Sequence, residues 1–336
     1  MNETLRQRIR LFLLVTLILA PIVAPISGIA ASVSPRVVFS FGGLNERSGV
    51  LFVAKDHGIF QKHGIDPHVV HVRSGQVGIS ALTAGESQFH AGSATGTSIG
   101  AMAGGLDLVF IAGLINRLDG AFVVNPEIRS PSDLKGKNIG VQSIGGGVWM
   151  FTMLAFEHWG LIPERDNIRF RIIGDQAVTA QAITTGAIDG AYLGYTFGSI
   201  LEKQGYRVLA DFAKLGIPYQ GLGILARRSY VDRSPDIAER ALRATVETIA
   251  FVQNPANRSA VMRSLARGLR LQKVEDAEGG YEMMKGLFDR RIYPNADGLR
   301  NVLRLLGRTN ESIRRLKVED IIDDRIVRKL EREGIF

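Results

Sequence analysis

The hexapeptide Ser80-Ala81-Leu82-Thr83-Ala84-Gly85 returns as Gln181-Ala182-Ile183-Thr184-Thr185-Gly186, 101 residues further along the chain. Its flanks match as well: Phe39-Ser40-Phe41-Gly42-Gly43 and Val141-Gln142-Ser143-Ile144-Gly145 are each a β-prone run opening into a glycine loop. Gly58 and Gly160 each follow the helical stretch that comes next. Two copies at this distance are not a solenoid, which stacks several units of about 20–45 residues. They predict two lobes of one design, and 336 residues hold two domains of ordinary size, about 100–200 residues each.

Each copy alternates short β-rich and helical segments. Val37–Phe41 and Ile65–Val72 read as strands, Gly49–His57 as a helix stopped by Gly58, Gly78–Ala84 as a helix stopped by Gly85, and Gln88–Ala91 as a strand. Alternation of this kind implies mostly parallel sheets flanked by helices. Gly120–Val124 and Gln220–Leu225 are short β-prone crossings between the copies. If the chain after Gly223 completes the first lobe, these are hinge strands, and the second lobe is an insertion: lobe one is residues 32–121 and 224–336, lobe two 122–223. In the helical C-terminal third, Ala238, Leu242, Val246, Ile249 and Val252 form an apolar stripe behind Ser234-Pro235-Asp236, a core-facing helix with a proline start.

The absence of cysteine removes disulfides, thiolate metal sites, cysteine nucleophiles and a lipid-anchoring cysteine, so any chemistry here uses oxygen and nitrogen. The net charge of +8 resides mainly in the C-terminal helical third, where acids are interspersed. That is a solvated surface without aromatic interleaving, and no nucleic acid is expected. Arg6, Arg8 and Arg10 precede an uncharged run, Leu11–Ala31, whose strongly apolar part ends before Pro21 and which closes on small residues at Gly28 and Ala30. Residues 1–31 read as a secretory signal peptide, the alternative being an uncleaved anchor.

Four stretches resemble the periplasmic solute-binding proteins of nitrate, sulfonate and taurine type ABC importers, related to thiamine-precursor-binding proteins. They are Leu51–Ile65, Ala81–Glu86 followed by Phe89, Ser130–Val141, and Val318–Asp323. Gln88 stands where the family usually carries an acid. The resemblance implies an α/β, two-lobed periplasmic-binding-protein fold (type II) with two hinge crossings. It also implies a periplasmic monomer that hands a small, anionic organic solute to a membrane permease and its ATPase, without cofactor or catalysis. An enzyme of cofactor-precursor biosynthesis on the same fold is the alternative.

Candidate ligand contacts lie where strands end, the place ligands occupy in open α/β sheets. Ser143, Gly145, Gly146 and Gly147 form a glycine loop heading the helix Val148–Trp159, where free N–H groups and the positive helix end suit an oxyanion, although a plain turn would have the same composition. Asn45 and Arg47 are the lobe-one counterpart, with Arg47 either pairing with the anion or forming an exposed rim pair with Glu46. Ser74, Gly75, Ser93, Thr95, Asp175 and Tyr195 complete the set. His68 and His71 sit three apart on a predicted strand and face opposite sides, so no metal is expected there. No nucleophile-base arrangement can be argued, and no catalytic residue is expected.

Overall fold

Strands β1 (Arg36–Phe41), β2 (Asp66–His71), β3 (Phe89–Gly92), β4 (Leu108–Arg117) and β10 (Pro218–Arg227) form one sheet in the order β2-β1-β3-β10-β4. β5 (Ala121–Val124), β6 (Asn138–Val141), β7 (Arg169–Ile172), β8 (Gly190–Leu193) and β9 (Arg207–Asp211) form the second, in the order β7-β6-β8-β5-β9. β1 runs parallel to β2 and β3, and β6 parallel to β7 and β8, while β10 and β5 are antiparallel to both of their neighbours. The two mixed sheets therefore share one arrangement, as the internal repeat predicts. This computed structural model describes residues 34–336. The expected signal segment lies outside them. No described helix is long and apolar enough to cross a membrane.

Among the described residues, seven α-helices precede the return to the first sheet: α1 (Gly49–Asp56), α2 (Ile59–Lys62), α3 (Gly75–Ala84), α4 (Gly96–Ala103), α5 (Gly147–His158), α6 (Gln176–Thr184) and α7 (Tyr195–Lys203). α3 and α6 carry the repeated hexapeptide and stop at equivalent glycines, Gly85 (φ 84°) and Gly186 (φ 71°). Side chains other than glycine rarely take that left-handed conformation, so the glycine fixes where each helix ends. The Ser130-Pro131 turn forms a single 3-10 turn, Pro131–Leu134, with the Asp133 carboxylate accepting from the Ser130 N–H at 2.9 Å. It is scaffold leading into β6.

The first sheet is backed by a core in which Phe39 stacks between Phe60 and Phe89, at centroid distances of 4.6 and 5.3 Å. The helix Pro235–Gln253 buries all five residues of its predicted stripe against this same core. Near the C-terminus, Ile322 bridges to Phe110, and the Asp323 N–H donates to the Phe110 carbonyl at 2.9 Å. Phe122, Phe156, Trp159 and Phe212 cluster behind the second sheet. The chain leaves the first sheet after Arg117 and joins the second at Ala121; it leaves the second after Asp211 and returns at Pro218. The short passages 118–120 and 212–217 thus connect the sheets, and the β-prone crossings read from the sequence are strands β5 and β10 beside them.

Candidate functional site

The carboxyl ends of β1, β3, β6 and β8 face one cleft, with a cavity of about 100 Å³ between the sheets. That is small beside the ~300–1,000 Å³ of sites for drug-sized ligands. Of the residues singled out in the sequence, Asn45, Arg47, Gly75, Ser93, Thr95, Gly147 and Asp175 line it. Ser74, Ser143, Gly145, Gly146 and Tyr195 stand outside its wall.

Several of these residues serve helix ends. The Ser74 hydroxyl accepts from the Val77 N–H at the start of α3. Thr95 and Ser98 cap α4 reciprocally: the Ser98 N–H donates to the Thr95 hydroxyl at 3.1 Å, and the Thr95 N–H to the Ser98 hydroxyl at 2.9 Å. Asp175 Oδ1 accepts from the Ala177 and Val178 N–H groups at 3.1 and 3.2 Å, heading α6. Helix α5 differs. Its N-cap is Gly146, with no side-chain cap, so its first N–H groups lack that partner, and Gly147 and Val148 present this head to the cavity. The Gly145 carbonyl just before it accepts from the Thr97 N–H of α4 at 3.3 Å, tying the glycine loop to the opposite sheet. Ser143 packs its hydroxyl against Gly146, and the Tyr195 phenol donates to Asp211 instead of a ligand.

Glu46 and Arg47 do not form an exposed rim pair. Both are buried, on different partners. The Glu46 carboxylate crosses to the second sheet's helix α7, accepting from the Tyr195 N–H at 2.6 Å and the Thr196 N–H at 3.4 Å. It supplies in trans the acidic cap that Gly194 cannot provide, and a Cβ at Gly194 would lie 2.5 Å from its Oε1. Arg47 pairs with Asp119 on the passage between sheets, donates to the Gly221 carbonyl, reaches the Ser93 hydroxyl at 3.3 Å, and lies 4.8 Å over the Phe151 ring. Burial opposes the guanidinium charge, but Asp119 reverses this and holds its pKa above the ordinary value. Burial pushes the Asp119 carboxyl up to about 6 despite Arg47, and its Oδ2 has no partner.

Four further wall residues bear on the chemistry of the cavity. Gln142, next to the chosen loop, donates from Nε2 to the Gly42 and Arg73 carbonyls at 3.1 and 3.0 Å, another bond between sheets. Phe151, one turn into α5, packs edge-on to Tyr192 and Tyr219. Tyr192 is buried with an unpartnered hydroxyl, and burial drives its pKa well above the usual phenol value, so it stays a donor. His90 is held between two helix and strand glycines: a Cβ at Gly78 or Gly92 would lie within 3 Å of its ring. Its Nδ1 meets the Ser40 hydroxyl at 2.9 Å, and burial brings its pKa down to about 4, leaving a neutral ring on the wall. In the sequence His90 stands between Phe89 and Ala91 on a short buried strand, and nothing there marks it as a wall residue.

The pieces are contiguous. A Cβ on Gly147 would lie 4.0 Å from the Ser93 hydroxyl, and that hydroxyl lies beside Arg47. The bare head of α5, Ser93 and Arg47 therefore surround one corner of the cavity, with Tyr192 in its wall, an arrangement of donors suited to an oxyanion.

The sequence profile of the NMT1/THI5-like family matches residues 45–258, a span that runs through this corner and most of both sheets. The chain belongs to the NMT1/THI5-like family. Three solved structures share the two-lobed periplasmic-binding-protein fold. The alkanesulfonate-binding protein SsuA from Xanthomonas axonopodis pv. citri, bound to MOPS, is 18% identical, with 86% of this chain and 98% of that chain covered and a TM-score of 0.71. The periplasmic nitrate-binding protein NrtA from Synechocystis PCC 6803 is 13% identical, with 90% and 89% covered and a TM-score of 0.70. The desulfurization enzyme DszB is 15% identical, with 89% and 99% covered and a TM-score of 0.63. No curated protein matches the sequence. At these identities the structural likeness establishes the fold, and the family match places the chain among its members.

Proposed function

We propose that this family member is the extracytoplasmic substrate-binding component of an ABC importer. It captures a small anionic organic solute, a sulfonate or carboxylate, between its lobes and delivers it to a permease and its ATPase. The observation that carries this reading is the uncapped head of α5, which opens onto the cavity beside Ser93 and Arg47. Gly147 and Val148 bind the acidic group through backbone N–H groups, and Arg47 lies behind Ser93. Asn45, Gly75, Thr95 and Asp175 shape the wall, while Ser74, Ser143, Gly145, Gly146 and Tyr195 hold its loops and helix heads. The cavity of about 100 Å³ suits a solute of a few heavy atoms.

In this reading, lobe one is residues 32–121 and 224–336, lobe two is 122–223, and the passages 118–120 and 212–217 bend when the lobes close. Residues 1–31 direct export and are removed, leaving a periplasmic monomer. A thermal-shift screen of methanesulfonate, taurine, nitrate, small carboxylates and pyrimidines, followed by calorimetry on the hits, tests it. Binding of pyrimidines alone would overturn the anion assignment. The likeness to the desulfurization enzyme supports a second reading, an enzyme on this fold. Mass spectrometry of the recovered ligand separates the two: a binding protein returns it unchanged.

A further inference from the structure

We propose that the cleft takes its anion together with a proton, and that Asp119 is the group that accepts the proton. This rests on the anion reading of the site. Arg47 is the cation on the cavity wall, Asp175 is a carboxylate on the same wall, and Glu46 and Asp119 are buried carboxylates behind it, with Arg117 facing Asp119 from the end of β4. Arg47 is already neutralised by Asp119, and both side chains are buried, at 5% and 1% exposure. An anion settling by Ser93 would face carboxylates on the far side of a guanidinium whose charge is spent. A proton on Asp119 resolves this. It releases the Arg47 charge toward the ligand and gives the unpartnered Oδ2 a hydrogen in place of a desolvated negative charge.

The groups facing Asp119 are Glu46 and Arg47 from the turn before α1, Arg117 from the end of β4, Tyr192 from β8, Tyr195 from α7 and Tyr219 from β10. Burial already raises the Asp119 carboxyl to about 6, with Glu46 adding to the rise and Arg47 and Arg117 opposing it. A bound anion acts in the same direction as Glu46 and raises it further. The bound form therefore holds more proton than the free form, and by linkage affinity rises as the pH falls. The dependence approaches tenfold per pH unit above about 6 and levels off below, where the free protein is already protonated.

The test is calorimetry with methanesulfonate and nitrate, strong-acid anions that do not titrate themselves, in buffers of different ionisation enthalpy at about pH 7. Proton uptake approaching one per anion is expected. Anion binding without uptake overturns the proton coupling and leaves the anion reading intact; failure of every anion to bind overturns both. Asp119→Asn should bind with an affinity that is flat in pH and tighter at about pH 8 than wild type. If that variant does not fold, His90→Gln decides the assignment, since uptake must persist without the buried imidazole of the wall. Loss of uptake in His90→Gln, or its survival in folded Asp119→Asn, would overturn the role given to Asp119.

Discussion

Replacing Gly147 with alanine should make the protein more stable and its binding weaker. Gly147 is the first residue of α5 and has no positive φ, so alanine suits its backbone. The added Cβ meets only the Phe151 ring at 3.9 Å and the Ser93 hydroxyl at 4.0 Å, ordinary contact distances. A strain-free glycine-to-alanine change in a helix contributes about 0.4–1 kcal/mol, mainly by restricting the unfolded chain. For a chain of this size that is roughly a 1–3 °C rise in Tm. The same methyl occupies the space through which an oxyanion reaches the head of α5. Losing one charge-assisted hydrogen bond costs about 1.5–3 kcal/mol, a Kd roughly 10- to 150-fold weaker. Urea melts and calorimetry with a hit from the anion screen measure the two effects. A destabilised variant would mean that the space is not open, and a more stable variant with wild-type affinity would mean that the α5 head does not touch the ligand.

Glu46→Gln keeps the shape of the α7 cap but removes its charge, and chemical denaturation should find it about 1–2 kcal/mol less stable. Gly194→Ala brings a Cβ to 2.5 Å from Glu46 Oε1 and should cost about 1–3 kcal/mol, a loss that a double-mutant cycle with Glu46→Ala should largely cancel. Gly78→Ala, whose Cβ would lie 2.1 Å from the His90 ring, should destabilise by a similar amount, whereas Gly100→Ala in α4, with no atom within 4 Å, should stabilise. His90 and Asp119 act oppositely on acid stability. The His90 value is lowered to about 4 from 6.5, so its contribution is lost as pH falls between these values. The Asp119 value is raised to about 6 from 3.8, so its contribution grows as pH falls through nearly the same window. His90→Gln should therefore gain stability relative to wild type between about pH 6.5 and 4, by up to ~3 kcal/mol, in urea melts at a series of pH values.

The lobes were legible because their signals are local and repeated. The two hexapeptides end at glycines with left-handed backbone, and the stripe Ala238 to Val252 is periodic, so each can be read without knowing what it meets. The sheet strands that cross between copies were visible as β-prone runs, but whether such a run is a strand or a linker depends on its partners. β10 gains that role only by entering between β3 and β4. The site was half legible for the same reason. Glycines and small polar residues at strand ends mark a loop, and seven of the chosen residues do line the cavity. What an adjacent side chain bonds to is a tertiary fact. Glu46 and Arg47 are neighbours in sequence, and only the fold sends one to α7 and the other to Asp119. His90 and Tyr192 sit on short buried strands, where an aromatic or imidazole ring is ordinarily core.

The two copies share a fold but not a site, and the difference lies in how their helix heads are satisfied. α3, α4 and α6 are capped by Ser74, Thr95 and Asp175 from their own loops. α7 is capped from the other sheet by Glu46, and α5 by no side chain. α1 and α2 also lack a side-chain cap, but among the uncapped heads of these seven helices it is α5 whose first two residues, Gly147 and Val148, line the cavity. Glu46 fills the α7 head with a carboxylate already inside the protein. The arrangement also grades the bonds between sheets. Glu46 and the Arg47–Asp119 pair are buried beside the connecting passages, where exposing them would leave charges and N–H groups without partners. The Gln142 bonds, the Thr97–Gly145 bond and the Arg304–Glu157 ion pair are partly exposed, and water can replace them at little cost. A motion that separates the lobes is therefore expected to break the second group and keep the first, pivoting about the residues that hold Arg47.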